Sequence, residues 1–416
     1  MDKAIHNLYF CNLLCSDARI WCFSRNVRTP SPGFFVAITW IHIKKDGGET
    51  MAGNYDGIKT RRFGVEIEMT GITRCAAAKA IQKVLGGSID HEGGTYDKYT
   101  VGDEKGRRWQ IVSDSSIYAR KKNGDPASDY YKVEMNSPIL EFDDLDLLQE
   151  AIRALRKEGA MTGPQYDCGT HIHIDAADYT PQQIRNLVNL WSCKEDYLWD
   201  ALQVSSARSN YCKKINRTFV EQLNRKKPKT MEGIKRLWYA ETDSSPYQHY
   251  NPTRYHALNL HSFFQHGHYE IRACNASLHA GEVKAQILLA LAISNAAVTR
   301  TKCSPAVSHS DNMRYSFRVL LLNLGFIGDE YKNYRSHLLK HLSGNIAWRH
   351  PEDAIAQRER IKAEREAARN ERVRAVSQNE SEVGETLDEE QNGAVGDLSS
   401  SSEEEIAEET AVTMNM

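Results

Sequence analysis

The chain has 416 residues, which is enough for one large domain or two smaller ones with a sizeable core. Its 53 lysine and arginine residues nearly balance its 55 aspartate and glutamate residues, so charge gives no support for a nucleic-acid-binding or membrane-surface protein. The nine cysteines are scattered singly without a CxxC pair, which supports neither a zinc ribbon nor a disulfide framework and leads us to expect a reduced, cytoplasmic setting. No uninterrupted apolar run reaches the roughly 18 residues that a membrane-spanning helix needs.

The first organised stretch of the chain covers residues 61–70 and reads RRFGVEIEMT. Its alternation of apolar and polar residues predicts a strand with Glu66 and Glu68 on one face. Like charges on one strand face repel, so this is either a solvated edge strand or one whose carboxylates face a cation or a basic partner. The domain that begins here is predicted over residues 59–345, and residues 1–50 are expected to form a poorly ordered N-terminal extension.

The periodicity of apolar residues, together with caps and chain breakers, predicts the elements that follow. The predicted helices cover residues 75–85, 143–158, 181–202, 216–224, 229–240, 281–300, 311–323 and 329–342. The predicted strands cover residues 99–101, 109–112, 131–135, 170–175, 256–263 and 268–274. Thr180 and Pro181 mark the start of the third helix, because threonine caps helix N-termini and proline fits the first turn.

Charge dominates the C-terminal part of the chain. Residues 351–376 alternate Glu and Arg at helical spacing without a broad apolar stripe, which predicts an exposed charged helix. Residues 377–416 contain no lysine or arginine and are rich in acidic and small residues. Because such a segment cannot bury enough apolar surface to offset the entropy cost of ordering, we expect an acidic disordered tail.

Side chains that can bind metal ions or phosphate recur on the predicted strands of the domain. They are Glu66, Glu68, Glu134 in VEMNSPIL, His171 and His173 in GTHIHID, Arg254 ahead of HALNL, and Glu270 and Arg272 in YEIRAC. Each group alone has an ordinary explanation, such as an ion pair between strands, a turn cap or a histidine pair without a ligand. Those explanations account poorly for the repetition. If the strands form one sheet, its polar face gathers carboxylates, imidazoles and guanidinium groups.

This combination of groups indicates a particular chemistry. Carboxylates with an occasional histidine suit hard divalent ions such as Mg²⁺ or Mn²⁺, and arginine beside such ions suits phosphate. Together they predict a site that holds a nucleotide triphosphate through metal ions. The chain has no GxxxxGK[ST] loop, so this is not a P-loop site. It also has no HExxH helix, which disfavours a zinc hydrolase using His171 and His173 but leaves it as the rival enzyme hypothesis.

The segments FGVEIE, EMNSPIL, GTHIHID, RYHALNL and YEIRACNASL, in this order, resemble the motifs of the putative amidoligase family. That family is part of the carboxylate–amine ligase superfamily of glutamine synthetase and glutamate–cysteine ligase, and the resemblance covers roughly residues 60–300. It implies an α+β fold in which an antiparallel sheet curves into a half-barrel with helices on its outer face. It also implies that ATP phosphorylates a carboxylate and that an amine attacks the acyl phosphate to give an amide or peptide bond.

The resemblance further implies roles for individual residues. Glu66, His171 and Glu270 would hold the Mg²⁺ ion (or Mn²⁺) that bridges the ATP phosphates, and Glu68 and Glu134 would hold a second ion. His173 would lie beside the phosphates, while Arg272 and Arg254 would neutralise the phosphate as it transfers. The family's LN pair falls on Asn259, with a structural or substrate-contact role. A further metal carboxylate is expected close after Glu134, and either Glu141 or Asp143 could supply it.

The substrates are defined only by class, as an amino acid or peptide carboxylate and an amine acceptor. The sequence identifies neither partner and gives no oligomeric state. A non-enzymatic alternative is an inactive relative that binds a partner through its acidic tail and charged helix. That alternative is weakened because every metal-binding position that the resemblance implies is occupied by a suitable residue.

Overall fold

The computed structural model describes residues 14–15, 18–19, 55–240, 242–248, 250–307 and 310–387. The chain divides into two compact units, residues 1–349 and 350–416. The predicted N-terminal extension lies outside the described residues except for two paired two-residue strands, β1 (Leu14–Cys15) and β2 (Ala18–Arg19). The predicted acidic tail lies outside them from residue 388 onward.

An eight-stranded antiparallel sheet forms the centre of the first unit. Its strands are β3 (Phe63–Met69), β4 (Gly86–Gly93), β5 (Lys98–Asp103), β6 (Arg108–Val112), β7 (Val133–Asn136), β8 (Gly169–Asp175), β9 (Leu258–Asn259) and β10 (His268–Asn275). They lie in the order β4-β5-β6-β7-β3-β8-β10-β9, so the sheet is open, with β4 and β9 at its edges. The strands predicted at residues 109–112, 170–175 and 268–274 are confirmed to within one residue at each end.

Eleven α-helices lie within the described residues, so the predicted α+β class is confirmed. They are α1 (Arg74–Leu85), α2 (Leu145–Glu158), α3 (Pro181–Ser192), α4 (Glu195–Ala201), α5 (Arg217–Lys226), α6 (Met231–Trp238), α7 (His261–His266), α8 (Ala280–Thr299), α9 (Met313–Asn323), α10 (Lys332–Leu339) and α11 (Pro351–Leu387). The first ten belong to the first unit and α11 to the second.

Strand alternation determines which face of the sheet is covered. Val65 and Ile67 of β3 and Ile172 and Ile174 of β8 are fully buried in one hydrophobic core. Helices α1 and α8 pack on the sheet, and α2 and α3 pack against them. Since successive side chains of a strand point to opposite faces, the glutamates and histidines between these apolar residues point away from the core.

Helix α8 is the most apolar helix of the domain. By length and composition it could cross a membrane, which the sequence reading did not anticipate. It packs against α2, α3 and α10, however, and 67% of its most apolar 18-residue segment is buried inside the protein. This burial is that of a core helix.

The strand predicted over residues 256–263 is wrong in its second half. The strand β9 contains only Leu258 and Asn259, and helix α7 begins two residues later. The Asn259 Oδ1 atom accepts hydrogen bonds from the backbone N–H groups of His261 and Ser262. These bonds satisfy the first two N–H groups of α7 from the residue before its N-cap, Leu260, and so favour a helix start over continuation of the strand.

Two further predicted helix boundaries differ from the structure. The helix predicted over residues 181–202 is broken into α3 and α4 at Cys193 and Lys194, and the buried Glu195, the first residue of α4, accepts hydrogen bonds from Trp191 Nε1 and from the Ile215 backbone N–H. The Thr180 cap of α3 is confirmed.

The charged helix α11 continues to Leu387 instead of ending at residue 376, since no proline or glycine interrupts it before residue 384.

Strand β4 was not predicted from the sequence. Its first residues, Gly86 and Gly87, look like a helix stop, and Gly86 does end α1 with a left-handed backbone (φ 79°). The same pair also opens β4, because a Cβ atom at Gly87 would collide with the backbone of Gly102 on β5. Glycine therefore allows the close approach of these two strands.

Candidate metal and phosphate site

The register of four neighbouring strands gathers the polar groups on one face of the sheet. The paired positions are Glu68 with Glu134, Glu66 with His171, and Glu270 with His173. The strands β7, β3, β8 and β10 contribute them in spatial order. These groups form two clusters, which differ in composition and in electrostatics.

The first cluster consists of Glu66, His171 and Glu270, whose potential ligand atoms all lie within 4.8 Å of one another. The His171 Nδ1 atom is 2.9 Å from Glu66 Oε2 and 3.3 Å from Glu270 Oε1. His171 and Glu270 are buried, while the Glu66 side chain keeps 30% of its surface exposed. The cluster is therefore anchored in the protein and open on the Glu66 side.

Both carboxylates of the first cluster stay ionised at neutral pH. Burial alone would favour the neutral acid at Glu66, but His173 and His171 outweigh it and hold the pKa of Glu66 well below its usual range. Burial also opposes ionisation of Glu270, and the neighbouring Arg272 and His171 lower the pKa of Glu270 to about 2. Ionised carboxylates beside an imidazole are a suitable donor set for a divalent cation.

The second cluster consists of Glu68, Glu134 and Asp114, again with ligand atoms within 4.8 Å of one another. Burial, reinforced by Glu66 and the other two carboxylates, raises the pKa of Glu134 well above its usual range. Burial also raises the pKa of Glu68, although Glu68 Oε2 accepts a 2.6 Å hydrogen bond from the Gly169 backbone N–H. Three buried or half-buried carboxylates held this close together repel one another when ionised, and a divalent cation would offset that repulsion, so the residues fit such an ion.

Asp114 is the site residue that sequence reasoning missed. It lies two residues beyond the end of β6, in the segment that follows the strand. The expected further carboxylates, Glu141 and Asp143, are not in either cluster. Both are exposed, and Glu141 caps the short 3₁₀ turn Phe142–Asp144. An acidic residue just after a polar-faced strand was the available signal for Asp114, but the pairing of β6 with β7 was needed to bring it to Glu134.

The predicted phosphate-binding residues surround the first cluster. Arg272 is buried, forms an ion pair with Glu270, and its Nε–H group donates to the Tyr211 carbonyl oxygen. His173 Nε2 lies 3.0 Å from Glu66 Oε1. Arg254 lies in a 3₁₀ turn ahead of β9 and lines the same cavity as Glu66 and His173.

Asn259 has a role that the sequence left open. Its Nδ2–H group donates a 2.7 Å hydrogen bond to Glu270 Oε2, while its Oδ1 atom caps α7. The other carboxylate oxygen, Glu270 Oε1, faces His171 and Arg272. Asn259 therefore orients Glu270 within the first cluster.

Two cavities open onto the first cluster. One has a volume of about 610 Å³ and is lined by Gln110, Asn136 and Ile139. The other has a volume of about 410 Å³ and contains Arg254. Both are also lined by Glu66 and His173 and by a pair of further histidines, His266 and His268. Two ligands could thus approach the Glu66 carboxylate from different sides.

A family model described as "Putative amidoligase enzyme" matches residues 59–294, which is more than half of the chain. The matched segment includes both clusters, both arginines and Asn259. Helices α9, α10 and α11 lie beyond it. A search of curated proteins found no match.

Proposed function

Because the chain belongs to the putative amidoligase family, a family of ligase-type enzymes, we propose that it is an ATP- and Mg²⁺-dependent carboxylate–amine ligase. In the proposed reaction, ATP phosphorylates a carboxylate and releases ADP. The amine nitrogen then attacks the acyl carbon and loses a proton, the bond from that carbon to the phosphate oxygen breaks, and inorganic phosphate leaves as the amide or peptide bond forms. The observation that supports this proposal most strongly is the pair of distinct clusters that share strand β3.

The two clusters suit different tasks. Glu66, His171 and Glu270 would hold an Mg²⁺ ion that bridges the ATP phosphates, and Glu68, Glu134 and Asp114 would hold a second one. When bound, these ions would supply positive charge that stabilises the phosphoryl group during its transfer. The second cluster, which contains only carboxylates, repels anions until a cation is present, so we expect its ion to bind before the acidic substrate.

The chain's own cations would complete the charge balance. Arg272 is held beside the first cluster by its ion pair with Glu270 and by the Tyr211 carbonyl oxygen. Arg254 lines the smaller cavity, and its guanidinium group lies 5.6 Å from the Tyr250 ring centre. Guanidinium groups already in place beside a phosphate would stabilise the charge that develops as it leaves, without reorganising.

We also propose that the sheet curves as a half-barrel of the glutamine synthetase type. A flat sheet of eight strands would separate its edges by roughly 34 Å, given about 4.8 Å between neighbours. Yet the side chain of Tyr96, in the turn between β4 and β5, interacts with that of Tyr250, which lies in the segment that leads to β9 at the other edge. This contact favours a curved sheet whose polar face is concave.

A substrate screen tests the proposed reaction. The full chain would be incubated with ATP and Mg²⁺ against pairs of acidic amino acids or peptides with a panel of amines, reading ADP and phosphate release. We expect release that requires Mg²⁺ and both substrates, and that is abolished in Glu66→Gln and Glu270→Gln but retained in the control Asp143→Asn. Hydrolysis supported by Zn²⁺ without ATP would instead favour the zinc hydrolase. Equal ATP turnover in the Glu66→Gln variant would overturn the assigned site.

A further inference from the structure

A third group of potential metal ligands lies away from the polar face of the sheet. It consists of His279 and Glu282, at the start of α8, and His337 on α10. Their potential ligand atoms all lie within 4.8 Å of one another, and the two imidazole ring centres are 5.0 Å apart. The helices α8 and α10 pack against each other, so this group joins two elements of the domain.

The local backbone is built to let the two imidazoles meet. A Cβ atom at Gly281 would lie 3.0 Å from His337 Nε2 and 3.1 Å from His279 Cε1. Since such contacts are tighter than ordinary van der Waals packing, a larger residue at Gly281 would push the rings apart. Glycine, which weakens a helix turn, is therefore explained here by the space that the histidines occupy.

Hydrogen bonds already orient two of the three side chains, His279 and Glu282. The His279 Nδ1 atom accepts the Glu282 backbone N–H and so caps α8, which leaves the Nε2 atom of His279 as its ligand. Glu282 Oε2 accepts a 2.7 Å hydrogen bond from the Ser277 hydroxyl group. Glu282 Oε1 forms an ion pair with Lys340.

A small cavity of about 170 Å³ adjoins the group and is lined by Glu282, His337, His341 and Gln286. The Gln286 Oε1 atom is buried and accepts no hydrogen bond from any described residue. A bound ion with a coordinated water molecule would give this oxygen a donor. The cavity thus has both room for such a water and a polar atom that lacks a partner.

We infer that His279, Glu282 and His337 form a binding site for a transition-metal ion of the zinc class. Two imidazoles and one carboxylate are a common ligand set for Zn²⁺, whereas Mg²⁺ prefers the oxygen-rich clusters of the sheet. Ligands at about 2.0 to 2.1 Å from a tetrahedral ion lie roughly 3.3 Å apart, and the upper limit of 4.8 Å on the present separations is compatible with that spacing.

Lys340 offers a substitution that should strengthen metal binding at this site instead of weakening it. Its ammonium group occupies one Glu282 oxygen and repels an incoming cation, so it competes with the metal. Replacing it by methionine would therefore shift metal binding to lower metal concentration. Replacing a ligand would abolish that binding step.

The experiment is a Co²⁺ and Zn²⁺ titration of the metal-free full chain, followed by visible absorption and calorimetry. The protein used carries Glu66→Gln and Glu134→Gln, which weaken metal binding by the two clusters of the sheet. The metal binding that remains is then that of the proposed site. We expect one binding step in this background, retained in the control His341→Ala and shifted to lower metal concentration by Lys340→Met. We expect His337→Ala to lose it. His279→Asn should also lose it while keeping the α8 cap, which excludes loss through unfolding. Unchanged binding in both histidine variants would overturn the inference.

Discussion

Replacing Glu134 by glutamine should stabilise the metal-free protein at pH 7. Glu134 lies with Glu68 and Asp114 in one cluster of carboxylates whose oxygens are within 4.8 Å of one another. At an effective dielectric constant of about 20, two unit charges 4.8 Å apart repel by about 3 kcal/mol. Proton uptake by Glu134 relieves part of this repulsion, so we expect the free energy of unfolding to rise by about 1 to 3 kcal/mol.

The pH dependence of this gain follows from the raised pKa of Glu134. In the unfolded chain the carboxyl group has its ordinary pKa near 4.5, whereas burial and the neighbouring carboxylates raise the folded value. Between those two values the folded state binds more protons, so the stability of the wild-type protein falls as pH rises through the raised pKa. The glutamine variant lacks this loss, and its advantage should vanish below about pH 4.5.

Thermal and urea unfolding in EDTA and in excess Mg²⁺ would measure both effects. In EDTA we expect a higher melting temperature for Glu134→Gln than for the wild type, by several degrees. In Mg²⁺ the wild type should gain more than the variant, because only its cluster binds the ion fully. Asp143→Asn, which changes an exposed carboxylate outside the clusters, is the control and should change neither value. A less stable Glu134→Gln in EDTA would refute the repulsion argument.

Three further predictions concern the scaffold. Burial raises the pKa of Glu195 to about 7, so Glu195→Gln should gain roughly 3 kcal/mol over wild type at pH 8 and little at pH 5, measured by urea unfolding. An equal effect at both pH values would contradict this. Asn259→Leu removes the acceptor of the His261 and Ser262 amides and the donor to Glu270 Oε2, and should lower the free energy of unfolding by about 2 to 4 kcal/mol. A melting temperature equal to that of wild type would show that water replaces these bonds. Thr180→Ala removes the capping box of α3 and should cost about 1 kcal/mol, with Thr180→Ser as the variant that restores it.

Local patterns predicted the strands that carry the site. β3 and β8 alternate strictly between buried apolar residues and polar ones, and the polar set followed from that period alone. Even the short β7 was placed by the apolar residues around Glu134. What alternation cannot give is the order of strands in the sheet, because pairing is decided by contacts between distant segments. That is why Glu68 and Glu66 could be assigned to different clusters only through the family resemblance.

The elements that sequence reasoning missed are decided by single side-chain contacts. Asn259 converts an apolar strand-like run into the start of α7. Asp114 joins the second cluster only because β6 pairs with β7. In each case the local propensity was correct but a tertiary contact prevailed over it.

The most direct test of the account is ATP binding to the full chain, measured by calorimetry with and without Mg²⁺. We predict that wild type and Asp143→Asn bind ATP only when Mg²⁺ is present. We predict that Glu66→Gln, which removes one charge from the first cluster, loses this binding while keeping the wild-type melting temperature in EDTA to within a few degrees. ATP binding of equal strength in Glu66→Gln, or binding that does not require Mg²⁺, would contradict the assignment of the polar face of the sheet as a metal and phosphate site.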